Sequence, residues 1–224
     1  MLAVAESGHL LHAPDIYMHK IAVGPEAVGC IDIDAPIKDN LQAIAKATNR
    51  LVNDLTVVVL DRPRHAEMIR EIRQAGARIK LITDGDVAPA VATAIPDSGV
   101  DMLLGIGGAP EGVLAAAALK CLGGEMQARF WPENEEQIAR TQAMGVHDIK
   151  AVLTHEDLVH GNDVIFAATG ITDGDLLRGV RYQGNRARTH SLVMRSKTGT
   201  VRFIEAIHRI DQKPLLKNLL ARQE

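Results

Sequence analysis

Between Leu55 and Gly124 the chain repeats one unit three times: a short apolar run, a polar loop, then a segment of helical character. "LTVVVL", "RIKLI" and "DMLLG" are the apolar runs. "DRPRH", "TDGD" and "IGGAPEG" are the loops. "AEMIREIRQAGA", "VAPAVATAI" and "VLAAAALKCL" are the helices, with Pro89 a potential kink in the second and Gly123-Gly124 closing the third. Such β-loop-α units with short connections demand a parallel sheet with right-handed crossovers. Aromatic residues make up only 3% of the chain, so its core must be built from Ala, Val, Ile and Leu. Small side chains let helices sit close on a sheet, which fits the same architecture.

The flanks are less regular. "MLAVAESGHLL" reads as an opening hairpin turning at Ser7-Gly8, followed by a loop, "HAPDIYMHK", and a helix through "PIKDNLQAIAKATNRL". Beyond the repeated units, "GEMQARFW" is expected as a strand and "ENEEQIARTQAMG" as a helix. "NDVIFAATGITDGDLLRGV" reads as a fourth loop-bearing unit. "THSLVMRSKTGTVRFIEAIH" alternates β-prone residues about a Thr-Gly turn, the pattern of an antiparallel hairpin. With no linker or low-complexity tract, residues 1–224 are expected to form a single α/β domain.

Net charge is −3, which leaves no basic field for nucleic acid or an anionic membrane. Few aromatic rings are available for bases to stack on. No apolar run has the length of a membrane span, and the two cysteines, Cys30 and Cys121, suggest reduced thiols and a cytoplasmic protein.

In a parallel α/β sheet, ligands collect beyond the carboxyl ends of the strands. There the following helices present free N–H groups that favour anions. Arg62 and Arg64 offer planar forks suited to phosphate, with Pro63 stiffening the loop between them. The same segment also reads as a solvated helix start with Pro63 in its first turn. Asp84 and Asp86, around Gly85, suit sugar hydroxyls or a divalent cation, although Asp-Gly is equally ordinary turn chemistry. Glu111 falls in a first helical turn, where its charge is tolerated and its hard oxygens suit Mg²⁺ or Mn²⁺. "GIGGAPEG" is not a dinucleotide fingerprint, because Pro110 replaces the third glycine, and it lacks the Gly-Lys-Ser/Thr of a P-loop. Arginines for phosphate beside carboxylates for hydroxyls or metal point to a phosphorylated, sugar-like substrate.

"HAPDIYMHK", "RPRH", "DGDVA", "GIGGAPEG", "VIFAATGIT" and "RTHSLVMRSKTGTVRFIEAIH" together resemble the class II fructose-1,6-bisphosphatases. Within that family they look closest to the cyanobacterial type that also acts on sedoheptulose-1,7-bisphosphate. The resemblance implies a layered, inositol monophosphatase-like sugar-phosphatase fold, a Mn²⁺ or Mg²⁺ cofactor and a homo-oligomer. It assigns substrate contacts to Tyr17, Arg62, Arg64, Asp84, Asp86 and Gly108, with Pro63 and Gly85 in the same segments, and a metal-ligand role to Glu111. Some members carry lysine in place of Arg62. Family members also have a preceding N-terminal region whose acidic loops supply most metal ligands and the groups that activate water. The catalytic residues are therefore expected outside this chain, and apolar surface is expected on one flank of the sheet. Two functions follow: metal-dependent removal of the 1-phosphate of a sugar bisphosphate, or binding of that sugar phosphate without catalysis.

Overall fold

The computed structural model describes residues 1–213. The first two repeated units fold as expected. Strands β3 (Thr56–Leu60) and β4 (Arg78–Ile82) run parallel in register, Thr56 opposite Arg78 through Leu60 opposite Ile82. Helix α2 (Ala66–Ala75) connects them, laying Ile69 and Ile72 on the sheet. It ends at Gly76, whose φ of +90° provides the left-handed residue that lets the chain turn back into β4. The short α3 (Val87–Ala92) leads on to β5 (Met102–Gly108), which pairs parallel with β3 only at Val57–Met102 and Val58–Leu103. Beyond those pairs β3 and β5 diverge.

Two expectations are corrected at this point. "HAPDIYMHK" is not a loop throughout: Tyr17–Val23 form β2, a central strand antiparallel to both β5 and β6 (Glu125–Trp131). Its polar residues hide the strand pattern, because Lys20 looks like a surface residue yet is only 1% exposed. The glycine segment is likewise no loop. Gly105, Gly107 and Gly108 continue β5 opposite Lys20, Met18 and Tyr17, and α4 (Ala109–Leu122) starts directly after Gly108. Pro110 lies in its first turn, where a missing N–H costs nothing.

The resulting six-stranded sheet has the order β4-β3-β5-β2-β6-β7, with β7 at Leu153–Thr154, and is mixed rather than parallel. One face, including Ile21, Val57 and Leu104, packs on α2 and on α1 (Ile37–Ala47) through Leu41 and Ile44. The other face packs on α4. Ala115 to Ala118 are all buried, so no side of that helix has solvent to turn toward. Helices α5 (Glu135–Ala143) and α6 (His155–Leu158) carry side-chain N-caps from Asn134 and Thr154.

Behind α4 lies a second sheet, entirely antiparallel. It contains β1 (Leu2–Val4), β8 (Ile165–Thr169), β9 (Arg181–Gln183), β10 (Arg186–Arg195) and β11 (Thr200–Arg209). The C-terminal hairpin is β10–β11, turning at Gly199 with φ +56°. Two more expectations fail here. The N-terminus makes no hairpin with its neighbours: β1 pairs with β8, Leu2 opposite Ala167. Residues 162–180 are no fourth parallel unit either. β8 is antiparallel to both neighbours and no helix follows it. The chain instead folds back on itself, with the N–H of Val180 donating to the Ile171 carbonyl at 3.1 Å. A Cβ at Gly170 would stand 2.1 Å from the Arg178 oxygen, so only glycine admits that fold-back.

The inner face of this sheet, with Phe166, Leu192 and Met194, covers α4. Leu2, Val4, Ile165 and Ile204 project from its other face and are exposed. Among the described residues no helix is long and apolar enough to cross a membrane.

Candidate functional site

The divergence of β3 and β5 opens a crevice at their carboxyl ends, the position the strand topology favours for ligands. A pocket of about 630 Å³ occupies it, lined by Tyr17, Arg62, Arg64, Asp84, Gly85, Asp86, Gly108 and Glu111 among others. Segments spread over nearly a hundred positions thus converge there. Pro63 does not line the pocket; it opens the 3-10 turn that carries Arg64. Nor does the "ATGIT" segment line it. That segment belongs to the second sheet, and Asp175, farther along its loop, pairs with Lys80 of β4 at 2.7 Å.

Each arginine is held by backbone. Arg62 donates to the carbonyls of Asp61 and Thr83 at 2.9 and 2.6 Å, which fastens the loop after β3 to the loop after β4. Arg64 donates from Nε and Nη2 to the Ile106 carbonyl at 3.1 and 2.9 Å. Its guanidinium carbon lies 4.4 Å from the centroid of the Tyr17 ring. A stacked, hydrogen-bonded guanidinium loses little freedom when an anion arrives, and Arg64 keeps further N–H groups to offer one.

His65 bridges the gap where β3 and β5 cease to pair. It is completely buried, its Nδ1 sits 2.7 Å from the Leu60 carbonyl, and its Nε2 accepts the Ile106 N–H at 2.7 Å. Burial holds its pKa below the usual histidine value, so the neutral ring that this bonding requires is the favoured form. A Cβ at Gly105 would come into van der Waals contact with Nε2, at 3.4 Å.

The carboxylates differ from one another. Asp84 is exposed at the pocket edge, and Gly85 beside it adopts a φ of +77°. Asp86 stands at the N-cap of α3 but makes no capping bond; its carboxylate pairs with buried Lys20. This narrows the sequence reading, because one side of Asp86 is already committed within the protein. Glu111 curls back over Gly108, where a Cβ would lie 1.9 Å from its Oε2. The glycines of "GIGGAPEG" therefore make room first for the protein's own side chains. Among the described residues, no group of three or more His, Cys, Asp or Glu could hold a metal ion. Glu111 with its present neighbours does not constitute a metal centre.

Sequence reasoning missed Lys20, His65, Glu133 and Gln137. The first two lie beneath the pocket and the others on its wall, at the start of α5. His65 adjoins the arginine motif, but nothing in the local sequence distinguishes a buried lysine from a surface one.

A family described as bacterial fructose-1,6-bisphosphatase, glpX-encoded, matches residues 1–208. The chain is 50% identical to a D-fructose 1,6-bisphosphatase class 2/sedoheptulose 1,7-bisphosphatase of Synechococcus sp. (strain JA-3-3Ab), over 96% of this chain and 65% of that protein. A protein of the same description from strain JA-2-3B'a(2-13) is 49% identical with the same coverage. Fructose-1,6-bisphosphatase class 2 of Haemophilus influenzae is 44% identical, over 98% of this chain and 69% of that protein. The chain thus spans 65% of the length of the two cyanobacterial relatives it matches.

Proposed function

Because this chain belongs to the glpX-encoded bacterial fructose-1,6-bisphosphatase family, we propose that its pocket binds fructose-1,6-bisphosphate, and sedoheptulose-1,7-bisphosphate as the names of its cyanobacterial relatives suggest. Arg62 and Arg64 receive phosphate oxygens, while Asp84 and Asp86 accept from sugar hydroxyls. The single observation that carries the reading is that Tyr17, the arginine pair, the Asp-Gly-Asp loop and the head of α4 line one pocket. In this reading residues 1–224 are one α/β domain of the layered sugar-phosphatase type, and the protein is cytoplasmic and assembles as a homo-oligomer.

Hydrolysis of the 1-phosphate with Mn²⁺ or Mg²⁺ is the activity that family membership suggests. The cation would activate water and neutralise charge on the phosphoryl group. Of the residues present, only Glu111 is assigned as a ligand, and a hard divalent cation takes six or more oxygens. The absence of a donor cluster among the described residues favours a second reading for these residues alone: binding without turnover.

One experiment separates the readings. The 224-residue chain is titrated calorimetrically with fructose-1,6-bisphosphate, and phosphate release is followed with and without Mn²⁺. Saturable binding that weakens about tenfold or more in Arg64→Ala supports the substrate site, that being the scale of a lost charge-assisted hydrogen bond. Metal-dependent release abolished by Glu111→Ala supports the enzymatic reading; binding without release supports the other. A folded chain that neither binds nor hydrolyses the sugar refutes both.

A further inference from the structure

The pocket poses an electrostatic problem that its lining does not solve. A site for dianionic phosphate includes Asp86, only 7% exposed, and Glu111. Unscreened by water, a buried carboxylate repels an anion far more strongly than a surface one does. Beneath Asp86 lies Lys20, 1% exposed and absent from the pocket lining. Its ammonium makes an ion pair with Asp86 and donates to the Gly108 carbonyl at 3.0 Å. Lys20 belongs to β2, Asp86 to the loop before α3, and Gly108 to the end of β5, so one ammonium joins three elements of the site.

The glycine motif is shaped around this group. A Cβ at Gly107 would stand 2.1 Å from the Asp86 Oδ2 and 3.1 Å from the Lys20 Nζ. At Gly112, in the first turns of α4, a Cβ would crowd the Met18 sulfur at 3.1 Å and only touch the lysine stem, at 3.4 Å. Glycine at 107 leaves space for a buried cation and its partner, whatever the ligand above them.

We propose that Lys20 is a positioning residue of the sugar-phosphate site, acting from below the pocket floor. Its charge cancels that of Asp86, so an arriving phosphate meets the arginines without opposition from this carboxylate. Its bond to Gly108 fixes the distance between Asp86 and the head of α4. Asp86 keeps its free lone pairs for a hydroxyl, and its orientation is set by the ammonium. The proposal rests on the sugar-phosphate reading of the pocket.

The test uses inorganic phosphate and fructose-1,6-bisphosphate as calorimetric probes on the wild-type chain and on Lys20→Met, Asp86→Asn and the double variant. Charge compensation predicts opposite shifts for inorganic phosphate. Lys20→Met should bind about tenfold more weakly and Asp86→Asn several-fold more tightly, with the double variant returning near wild type. A role confined to packing would weaken every variant, because each disturbs the same buried contact. If Lys20→Met fails to fold, the Asp86→Asn shift decides: tighter phosphate binding supports the proposal, and unchanged or weaker binding overturns it. Wild-type binding with all variants weakened alike overturns the role of Lys20 and leaves the sugar-phosphate reading standing. A wild-type chain that binds neither probe overturns both.

Discussion

The two sheets differ in how much of each is covered. The six-stranded sheet has helices on both faces, and β3 reads as a continuous apolar run, Val57-Val58-Val59, all within 1% of complete burial. The antiparallel sheet is covered on one face only. Its strands alternate, Phe166 and Ala168 inward against Ile165 and Thr169 outward. The pocket lies at the covered sheet, where strands end at helix N-termini and two of them diverge. The other sheet supports α4, whose first turn carries Glu111. Burial on both sides makes a strand intolerant of change, whereas burial on one side leaves half its residues free to vary.

The largest test of this contrast is cavity formation in the doubly covered sheet. Ile21 is 2% exposed on β2, and Ile21→Ala should cost about 2–5 kcal/mol in urea denaturation. A loss below about 1 kcal/mol would mean that the α1/α2 layer collapses onto the gap and is more plastic than its burial implies.

Next in size is a pH effect on the same face. Burial, assisted by the Arg129 guanidinium, pushes the pKa of His19 from 6.5 down to about 4. The unfolded chain therefore takes up this proton near pH 6.5, while the folded chain resists it until about pH 4. Stability contributed by His19 is complete above the unfolded value and declines as pH falls through that window, by up to about 3 kcal/mol. His65 shifts in the same direction and adds to the slope. Denaturation midpoints at several pH values should drop toward acid, and His19→Gln should flatten part of that drop. An unchanged slope would place the cause elsewhere.

The smallest expected effect lies on the uncovered face. Ile204 is 41% exposed, so Ile204→Ser should alter stability by no more than about 0.5 kcal/mol. A loss approaching that of Ile21→Ala would show that the outer face is covered in solution, and the contrast between the sheets would disappear.

Much of this protein was legible in its residues. Three β-loop-α units announce themselves through apolar runs punctuated by Pro and Gly, and a turn at Gly199 marks the C-terminal hairpin. The arginine pair, Asp-Gly-Asp and Glu111 stand out as polar groups at strand ends, and the fold brings them to one pocket. Other features depend on pairings between distant segments. The partner of β1 lies more than 160 residues away, and nothing local distinguishes that pairing from a hairpin. β2 was obscured because Lys20 breaks the apolar pattern of a buried strand. Local sequence thus determined most helical and strand segments and the residue types at their ends. Tertiary structure decided what the glycines serve, which carboxylate is already neutralised and which face of a sheet remains bare. Those outcomes depend on which charges and surfaces meet once water is excluded, and a buried ion pair between Lys20 and Asp86 exists only after β2 has been placed beside β5.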